Sequence, residues 1–270
     1  MKKTVRIDAF PEAAYRCLDR DAIVAVHVVS ATTALVSSAT TGRATFVAPN
    51  VKSAYELSER LGDALLAGEV GGVVPEGFEL PASPTALAAA SALRPAVVLA
   101  PPGTQILVNA AAAPAVYVAC LRNLSATVRA LAASHPRVAI IGAGQGGDLR
   151  CEDQLAVARL AQGLMDNGYV AEDPYTVDLV ARWAKVGTGL VALGRSAEQL
   201  RRAGRAQDLD FILGHVDDVG VACECVDGEV CLEGVAAERR AARSAVAEAT
   251  TGRVVPFAFA TRSALPKVSA

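Results

Sequence analysis

Short runs of Val, Ile, Leu and Ala alternate with longer amphipathic segments along most of this 270-residue chain. The apolar runs predict buried strands at residues 22–29, 44–48, 64–68, 96–100, 116–119, 138–141 and 209–213. The amphipathic segments predict helices at 31–39, 51–61, 125–133, 152–167, 174–185, 197–203 and 236–246, the second of them with Asn50 as its N-cap. Because strands that alternate with helices pair in parallel and carry helices on both faces, we predict an α/β fold.

The charge balance limits the kinds of partner that the chain can bind. Its formal net charge is -2, so there is no electrostatic basis for binding nucleic acid or an anionic membrane. Hydrophobic residues make up 52% of the chain and charged residues 20%, which is typical of a globular protein with a sizeable core. These values favour a small-molecule substrate as the partner.

The distribution of apolar residues and cysteines predicts the compartment. The N-terminal sequence "MKKTVRIDAFPEAAYR" has no apolar segment of the kind found in secretory signals. The longest apolar region, 82–120, is interrupted by Arg94 and by four prolines after it, so we expect no membrane-spanning helix. Six scattered cysteines do not form a disulfide framework in a chain of this length. We therefore predict a cytoplasmic protein with reduced thiols.

Polar residues follow the first predicted strand in the sequence "IVAVHVVSATTAL". His27 lies where the apolar run ends, and Ser30, Thr32 and Thr33 come directly after it. An imidazole titrates near neutral pH and can transfer protons or bind a metal ion. The stretch is therefore either a catalytic corner or a strand that ends in polar residues, with His27 as a satisfied buried histidine.

A glycine-rich segment follows the strand at 138–141. Gly142, Gly144 and Gly147 match the G-x-G-x-x-G pattern of dinucleotide-binding loops, but the charged residues just after it would crowd and repel a pyrophosphate. The acids Glu152 and Asp153 instead favour a magnesium site, because Mg²⁺ takes one or two carboxylates in phosphate-binding enzymes. The alternative is that both acids only stabilise a helix N-terminus.

Three further segments carry candidate groups. Glu69 lies among glycines in "GEVGG", where it is a candidate ligand or base, or part of a surface turn. The turn "PPGT" supplies the hydroxyl of Thr104 after another strand. His215 with Cys223, Cys225 and Cys231 fits no common zinc spacing, so we expect no zinc site there.

Taken in order, these segments resemble the Mg²⁺-dependent 2-phosphosulfolactate phosphatases of coenzyme M biosynthesis, over residues 5–235. The segment "VVSATTALVSSATTGR" is similar to the family's Asp-Val-Leu-Arg-Ala-Thr-Thr motif, and "LLAGEVGGVVPEGFELPASP" is similar to its Gly-Glu-Arg loop. The matching segments that follow are "APPGTQ", "CLRNLSA", "GAGQGGDLRCED" and "DLDFILGHVD". The resemblance implies two α/β subdomains of three-layer type with the active site in the cleft between them. The predicted division is 1–125, 126–250 and a C-terminal tail at 251–270.

The resemblance carries candidate roles onto this chain. It implies catalytic roles for His27, Ser30, Thr32, Thr33 and Glu69. It implies substrate binding by Ser83, Gly103, Thr104, Asn123, Gly144 and Gly146. It also implies Mg²⁺ as the cofactor, bound by Glu152 and Asp153.

Several positions depart from the family pattern. The strand-end Asp of the family is His27 here, and its two arginines are replaced by Ser30 and Val70. Two of its asparagines correspond to Ala82 and Pro102. Guanidinium groups suit bidentate recognition of phosphate or sulfonate, so their loss weakens binding of a substrate with several acidic groups.

We therefore predict a magnesium-dependent enzyme of the phosphatase family that acts on a small phosphorylated acid other than 2-phosphosulfolactate. Two alternatives remain open at this point. One is a non-hydrolytic reaction in a specialised biosynthetic pathway, and the other is a non-catalytic homologue that binds a metabolite or a protein. A homodimer is an open alternative to a monomer.

Overall fold

The computed structural model describes residues 2–90, 94–144 and 146–249. Ten strands of this part of the chain form one sheet. In chain order they are β1 (Thr4–Ala9), β2 (Ala22–Val26), β3 (Thr45–Val47), β4 (Leu65–Gly68), β5 (Ala96–Leu99), β6 (Val116–Ala119), β7 (Arg137–Gly142), β8 (Val170–Ala171), β9 (Cys223–Val226) and β10 (Glu229–Leu232).

Helices cover the sheet. The α-helices are α1 (Ala31–Ala39), α2 (Val51–Leu61), α3 (Pro84–Ala89), α4 (Gly103–Asn109), α5 (Leu124–Ser134), α6 (Cys151–Asp166), α7 (Pro174–Trp183), α8 (Arg195–Arg202), α9 (Ala206–Gly214) and α10 (Glu233–Ala249). Short 3-10 helices occur at Pro11–Cys17, Leu121–Asn123 and Thr188–Leu193. No helix within the described residues is long and apolar enough to cross a membrane.

The strand order is β4-β5-β3-β10-β9-β6-β2-β7-β1-β8. The strands β4, β5 and β3 pair in parallel, as do β6, β2, β7, β1 and β8. The antiparallel hairpin of β9 and β10 joins these two groups. The predicted α/β class is confirmed.

The core lies on both faces of the sheet. Every residue of β2 is buried, and alternate side chains enter different apolar clusters. Ile23 packs with residues of α1 and α4, whereas Val24 packs with residues of α5 and α6 on the opposite face. A parallel strand covered on both faces must be apolar throughout, which explains the continuous run at its position in the sequence.

Several predicted elements are confirmed at their stated bounds. The helices at 31–39 and 51–61 occur as α1 and α2. The side chain of Asn50 caps α2 by accepting a 2.9 Å hydrogen bond from the backbone nitrogen of Ser53. The left-handed backbone of Gly62, with φ of 72°, ends the same helix because glycine adopts this conformation without a steric penalty.

The predicted strand at 209–213 is wrong, because these residues belong to α9. Leu209 and Ile212 are buried three residues apart, whereas Asp210 between them is exposed, which is the spacing of a helix. A short apolar run such as "LDFIL" fits either type of element, and packing against the rest of the protein decides between them.

Strands from both sides of residue 125 share the sheet. β7 follows this residue, but it lies between β1 and β2, which precede it. The division into subdomains at residue 125 stays a prediction. The predicted tail at 251–270 lies outside the described residues.

Candidate active site

His27 follows β2 in a tight turn that leads into α1, and the side chain is 6% exposed. Its backbone nitrogen donates to the hydroxyl of Thr32 at 2.9 Å, and its carbonyl accepts from the backbone nitrogen of Thr32 at 3.0 Å. The hydroxyl of Thr33 donates to the carbonyl of Val28 at 2.7 Å. The two threonine hydroxyls are therefore engaged in holding the turn that presents His27.

The imidazole of His27 contacts a carboxylate from α6. Its Nδ1 lies 3.3 Å from Oδ2 of Asp153, which is fully buried. Asp153 also accepts backbone hydrogen bonds from Val28 at 2.8 Å and from Gly144 at 3.3 Å. A carboxylate can only accept here, so Nδ1 is the donor of this contact, and in the neutral form of the ring Nε2 carries the lone pair.

The opposite nitrogen of His27 is available for chemistry. Nε2 makes no hydrogen bond to any other residue among those that the structure describes. In many enzymes the general acid or base is a histidine of this kind. A buried acid holds its Nδ1, and its Nε2 has no protein partner.

The turn before α4 packs directly against His27. A Cβ atom added at Gly103 would lie 2.9 Å from Cβ and Cδ2 of His27 and 2.5 Å from Cβ of Ala31. The hydroxyl of Thr104 accepts from the backbone nitrogen of Ala100 at 3.2 Å, so it holds this turn in place. Gly103 therefore allows the close approach of α4 to the histidine.

We expect Gly103→Ala to lower the free energy of unfolding by about 1–3 kcal/mol, because the added methyl group must displace His27 or Ala31. Urea denaturation measures this effect. Gly214→Ala is the matched control, since a Cβ at Gly214 meets no atom within 4 Å. Equal stability of the two variants would contradict the close packing described for Gly103.

An arginine that sequence patterns did not identify lies beside the predicted catalytic residues. Arg205 donates to the carboxylate of Glu69 and, at 3.2 Å, to the carbonyl of Ala82. The hydroxyl of Ser30 donates to the same carbonyl at 2.6 Å. The structure thus brings Ser30 and Glu69 together around Arg205.

The same arginine is held by a second acid. Asp208, fully buried on α9, accepts from Nε of Arg205 at 2.7 Å and from the hydroxyls of Ser83 and Thr85 at 2.6 and 2.5 Å. The hydroxyl of Ser83 also accepts from the backbone nitrogen of Ala86 and so caps α3. A local signal was present in the sequence, since Arg205 and Asp208 are spaced as an ion pair on one helix turn.

The remaining predicted ligands are placed as follows. The side chain of Asn123 is fully buried, accepting from the backbone nitrogen of Cys120 and donating to the carbonyl of Val118, both at 3.0 Å. Gly144 donates to Asp153, whereas Gly146 lies further along the loop with φ of 61° and no atom within 4 Å of an added Cβ. Asn123 therefore serves its own turn, and the structure does not bring it to His27 through any described hydrogen bond.

Glu152 faces away from the histidine. Its Oε2 accepts from Sγ of Cys151 at 3.2 Å, and its side chain also bonds to Ser196. Its Oε1 is buried without a hydrogen-bond partner. Burial, and then the charge of Asp153, raise the pKa of Glu152 above the usual 4.5, which favours the neutral acid.

These donors do not assemble a magnesium site. Both oxygens of Asp153 are engaged with protein donors, and Glu152 offers one buried oxygen that has no partner among the described residues. No group of three or more His, Cys, Asp or Glu side chains in the described part of the chain is arranged to hold a metal ion. The residues predicted as metal ligands therefore do not fit Mg²⁺ as they are placed.

The late cysteines lie on the hairpin of β9 and β10. Burial raises the pKa of Cys225 and Cys231 to about 12, so both are neutral thiols at neutral pH. His215, at the end of α9, stacks on Phe211 and bonds to its carbonyl at 2.8 Å. These contacts give the cysteines and His215 packing roles in the fold.

Comparison with known proteins gives one consistent relationship. A family model described as 2-phosphosulpholactate phosphatase matches residues 10–233. A protein from Deinococcus radiodurans named probable 2-phosphosulfolactate phosphatase is 30% identical over 214 residues, covering 77% of this chain and 87% of the relative. Proteins of the same name from Thermus thermophilus and a Synechococcus species are 32% and 29% identical, and the matches cover 77% and 74% of this chain and 88% and 87% of the relatives. The chain thus belongs to the 2-phosphosulfolactate phosphatase family.

Proposed function

We propose that this protein hydrolyses the phosphate ester of a small phosphorylated acid other than 2-phosphosulfolactate. The observation that carries the proposal is the buried pair of His27 and Asp153 at the end of β2. This pair supplies a proton-transfer group in a member of a phosphatase family. His27 lies at the end of β2, at the position where the family pattern has an acid.

We assign a different role to each residue of the pair. Asp153 holds Nδ1 of His27 and stabilises the imidazolium that forms when Nε2 takes a proton. His27 would take a proton from the attacking water or return one to the leaving oxygen of the ester. Hydrolysis then yields the alcohol of the acid and inorganic phosphate.

Charge supports a substrate with fewer acidic groups than 2-phosphosulfolactate. Ser30 and Val70 stand where the family pattern has arginines. Arg205 does not replace them as a free cation, because its guanidinium pairs with both Glu69 and Asp208. Since one guanidinium faces two carboxylates, little positive charge remains there for a second or third acidic group of a substrate.

Magnesium dependence remains an expectation from the family and enters no step above. Because Asp153 is engaged with His27 and the backbone, a metal ion at this acid would have to displace existing hydrogen bonds. We therefore assign the proton transfer to His27 and leave the requirement for the ion to be measured.

Release of inorganic phosphate from a panel of phosphomonoesters, including 2-phosphosulfolactate and smaller phosphorylated carboxylic acids, tests the proposal. We expect turnover of a smaller acid and little turnover of 2-phosphosulfolactate. Each substrate is assayed with Mg²⁺ and with EDTA to settle the metal requirement. If no ester in the panel releases phosphate under either condition, the hydrolytic proposal fails, and a non-hydrolytic reaction or a binding function takes its place.

A further inference from the structure

A groove lies on the surface between the loop that precedes α6 and the segment that joins the 3-10 helix Thr188–Leu193 to α8. Its volume is about 440 Å³. Apolar walls come from Leu149, Leu190 and Leu193, and charged groups come from Asp148, Arg150 and Arg195. The size and mixed lining suit a small organic molecule that carries a charged group.

Arg150 has an uncompensated charge in this groove. Its Nε and Nη1 atoms are buried and have no hydrogen-bond partner in the part of the chain that the structure describes. Its guanidinium forms no ion pair with any of the residues that the structure describes. An arginine remains protonated in proteins, so burial cannot neutralise it as it does a lysine or an acid.

A partly buried charge without a partner is costly, and two buried guanidinium nitrogen atoms without an acceptor suit an anionic ligand. The other charged residues of the groove do not supply one. Asp148 pairs with Arg195 at 2.7 Å, and this pair is more than half exposed on both sides. Glu152 is turned toward Cys151 and Ser196 and is not part of the lining.

The lining of the groove includes neither His27 nor Asp153. A Cβ atom added at Gly142 would lie 2.5 Å from Cδ1 of Leu149 and 3.7 Å from Cβ of Asp153. Leu149 therefore packs over the end of β7, beside Asp153, and also forms part of the groove wall.

We propose that the groove binds the oxyanion of a small organic acid, with Arg150 as its anchor and the leucine walls in contact with the apolar part of the ligand. The planar guanidinium can donate two parallel hydrogen bonds to a carboxylate or a phosphate. Leu193 is 82% exposed, so an apolar ligand body would cover a side chain that now faces solvent. This site does not depend on the proposed hydrolytic function.

Isothermal titration of the full chain with hexanoate, and separately with inorganic phosphate, tests this site. Arg150→Met keeps an unbranched side chain as far as the position of Nε but removes the charge, and we expect it to weaken hexanoate binding by about 10–100-fold. Arg202→Met is the matched control, because Arg202 is exposed on α8 and pairs with the exposed Glu198. We expect this control to bind hexanoate as the unmodified protein does.

A second substitution keeps the proposal testable if the Arg150→Met variant does not fold. Leu193→Asp changes an exposed side chain, so the fold should tolerate it, and the new carboxylate should repel the anion and weaken binding. Competition between phosphate and hexanoate would show that both share the site, whereas hexanoate binding without competition would restrict the ligand to carboxylates.

His27→Gln separates this inference from the proposed function. We expect the variant to bind hexanoate unchanged, although it should lose hydrolysis. The proposal is overturned if the unmodified protein binds neither anion, or if Arg150→Met and Leu193→Asp both bind hexanoate normally. It is also overturned if the His27→Gln variant loses hexanoate binding while the Arg150→Met variant keeps it, because the anion would then bind beside His27.

Discussion

His27→Gln is expected to lower kcat for phosphate-ester hydrolysis by roughly 10²–10⁴-fold, the usual contribution of a positioned general acid or base. Glutamine is similar in size and can still bond to Asp153, but it cannot exchange a proton near neutral pH. The KM should change little, because the proposed mechanism has Nε2 act on the reacting atoms. Steady-state kinetics on the best substrate of the phosphomonoester panel measures both constants.

Asp153→Asn tests the contribution of the carboxylate to the pair of His27 and Asp153. The amide cannot accept the bonds from both His27 and the backbone nitrogen atoms of Val28 and Gly144. We expect a loss of kcat of similar size, and the double variant should lose little more than either single one, since the two residues act as a unit.

His215→Gln is the control for these variants, because this histidine lies at the end of α9 and bonds to the carbonyl of Phe211 in its own helix. It should leave kcat unchanged. If the His27→Gln variant kept near-normal kcat while remaining folded, His27 would have no part in the chemistry and its assignment would be withdrawn.

Asp208→Ala is expected to produce the largest loss of stability, about 3–5 kcal/mol in the free energy of unfolding. Its carboxylate is fully buried and accepts from Arg205, Ser83 and Thr85. Removing it leaves a largely buried guanidinium with one fewer acid, and the hydroxyls of Ser83 and Thr85 lose their carboxylate acceptor. Urea denaturation at neutral pH measures the change.

Asp210→Ala is the matched control, because Asp210 lies on the same helix and is exposed. It should change the free energy of unfolding by less than about 0.5 kcal/mol. Asp208→Asn should fall between the two, since the amide still accepts one hydrogen bond. Similar stabilities of the Asp208→Ala and Asp210→Ala variants would refute a structural role for the Arg205 network.

Local patterns in the sequence were sufficient for much of the fold. The helix α2 could be predicted at both ends because the Asn50 cap and the Gly62 stop are properties of neighbouring residues. The segment 209–213 could not, because a five-residue apolar run satisfies the burial pattern of a strand and of a helix. The β9–β10 hairpin was also missed, although it joins the two parallel groups of strands.

The candidate site was only partly predictable for a related reason. His27, Glu69 and Asp153 are among the site residues predicted from the sequence. Their predicted roles rest on the chemistry of each residue alone or on the family pattern, and not on contacts between them. Arg205 was not identified, because it lies 136 residues from Glu69 and no local motif connects them. Its importance arises only from the contacts that the fold creates.

The sequence by itself determined the α/β class and most helices, because these depend on burial periods and caps within a few residues. The strand predicted at 22–29 ends at Val26, so the turn that presents His27 was not part of the prediction. Only the tertiary structure decided that Asp153 faces His27, 126 residues away, while its neighbour Glu152 turns toward Ser196. Consecutive residues of an α-helix point about 100° apart, so adjacent acids cannot share one direction. Which of the two reaches the histidine depends on how α6 packs on the sheet.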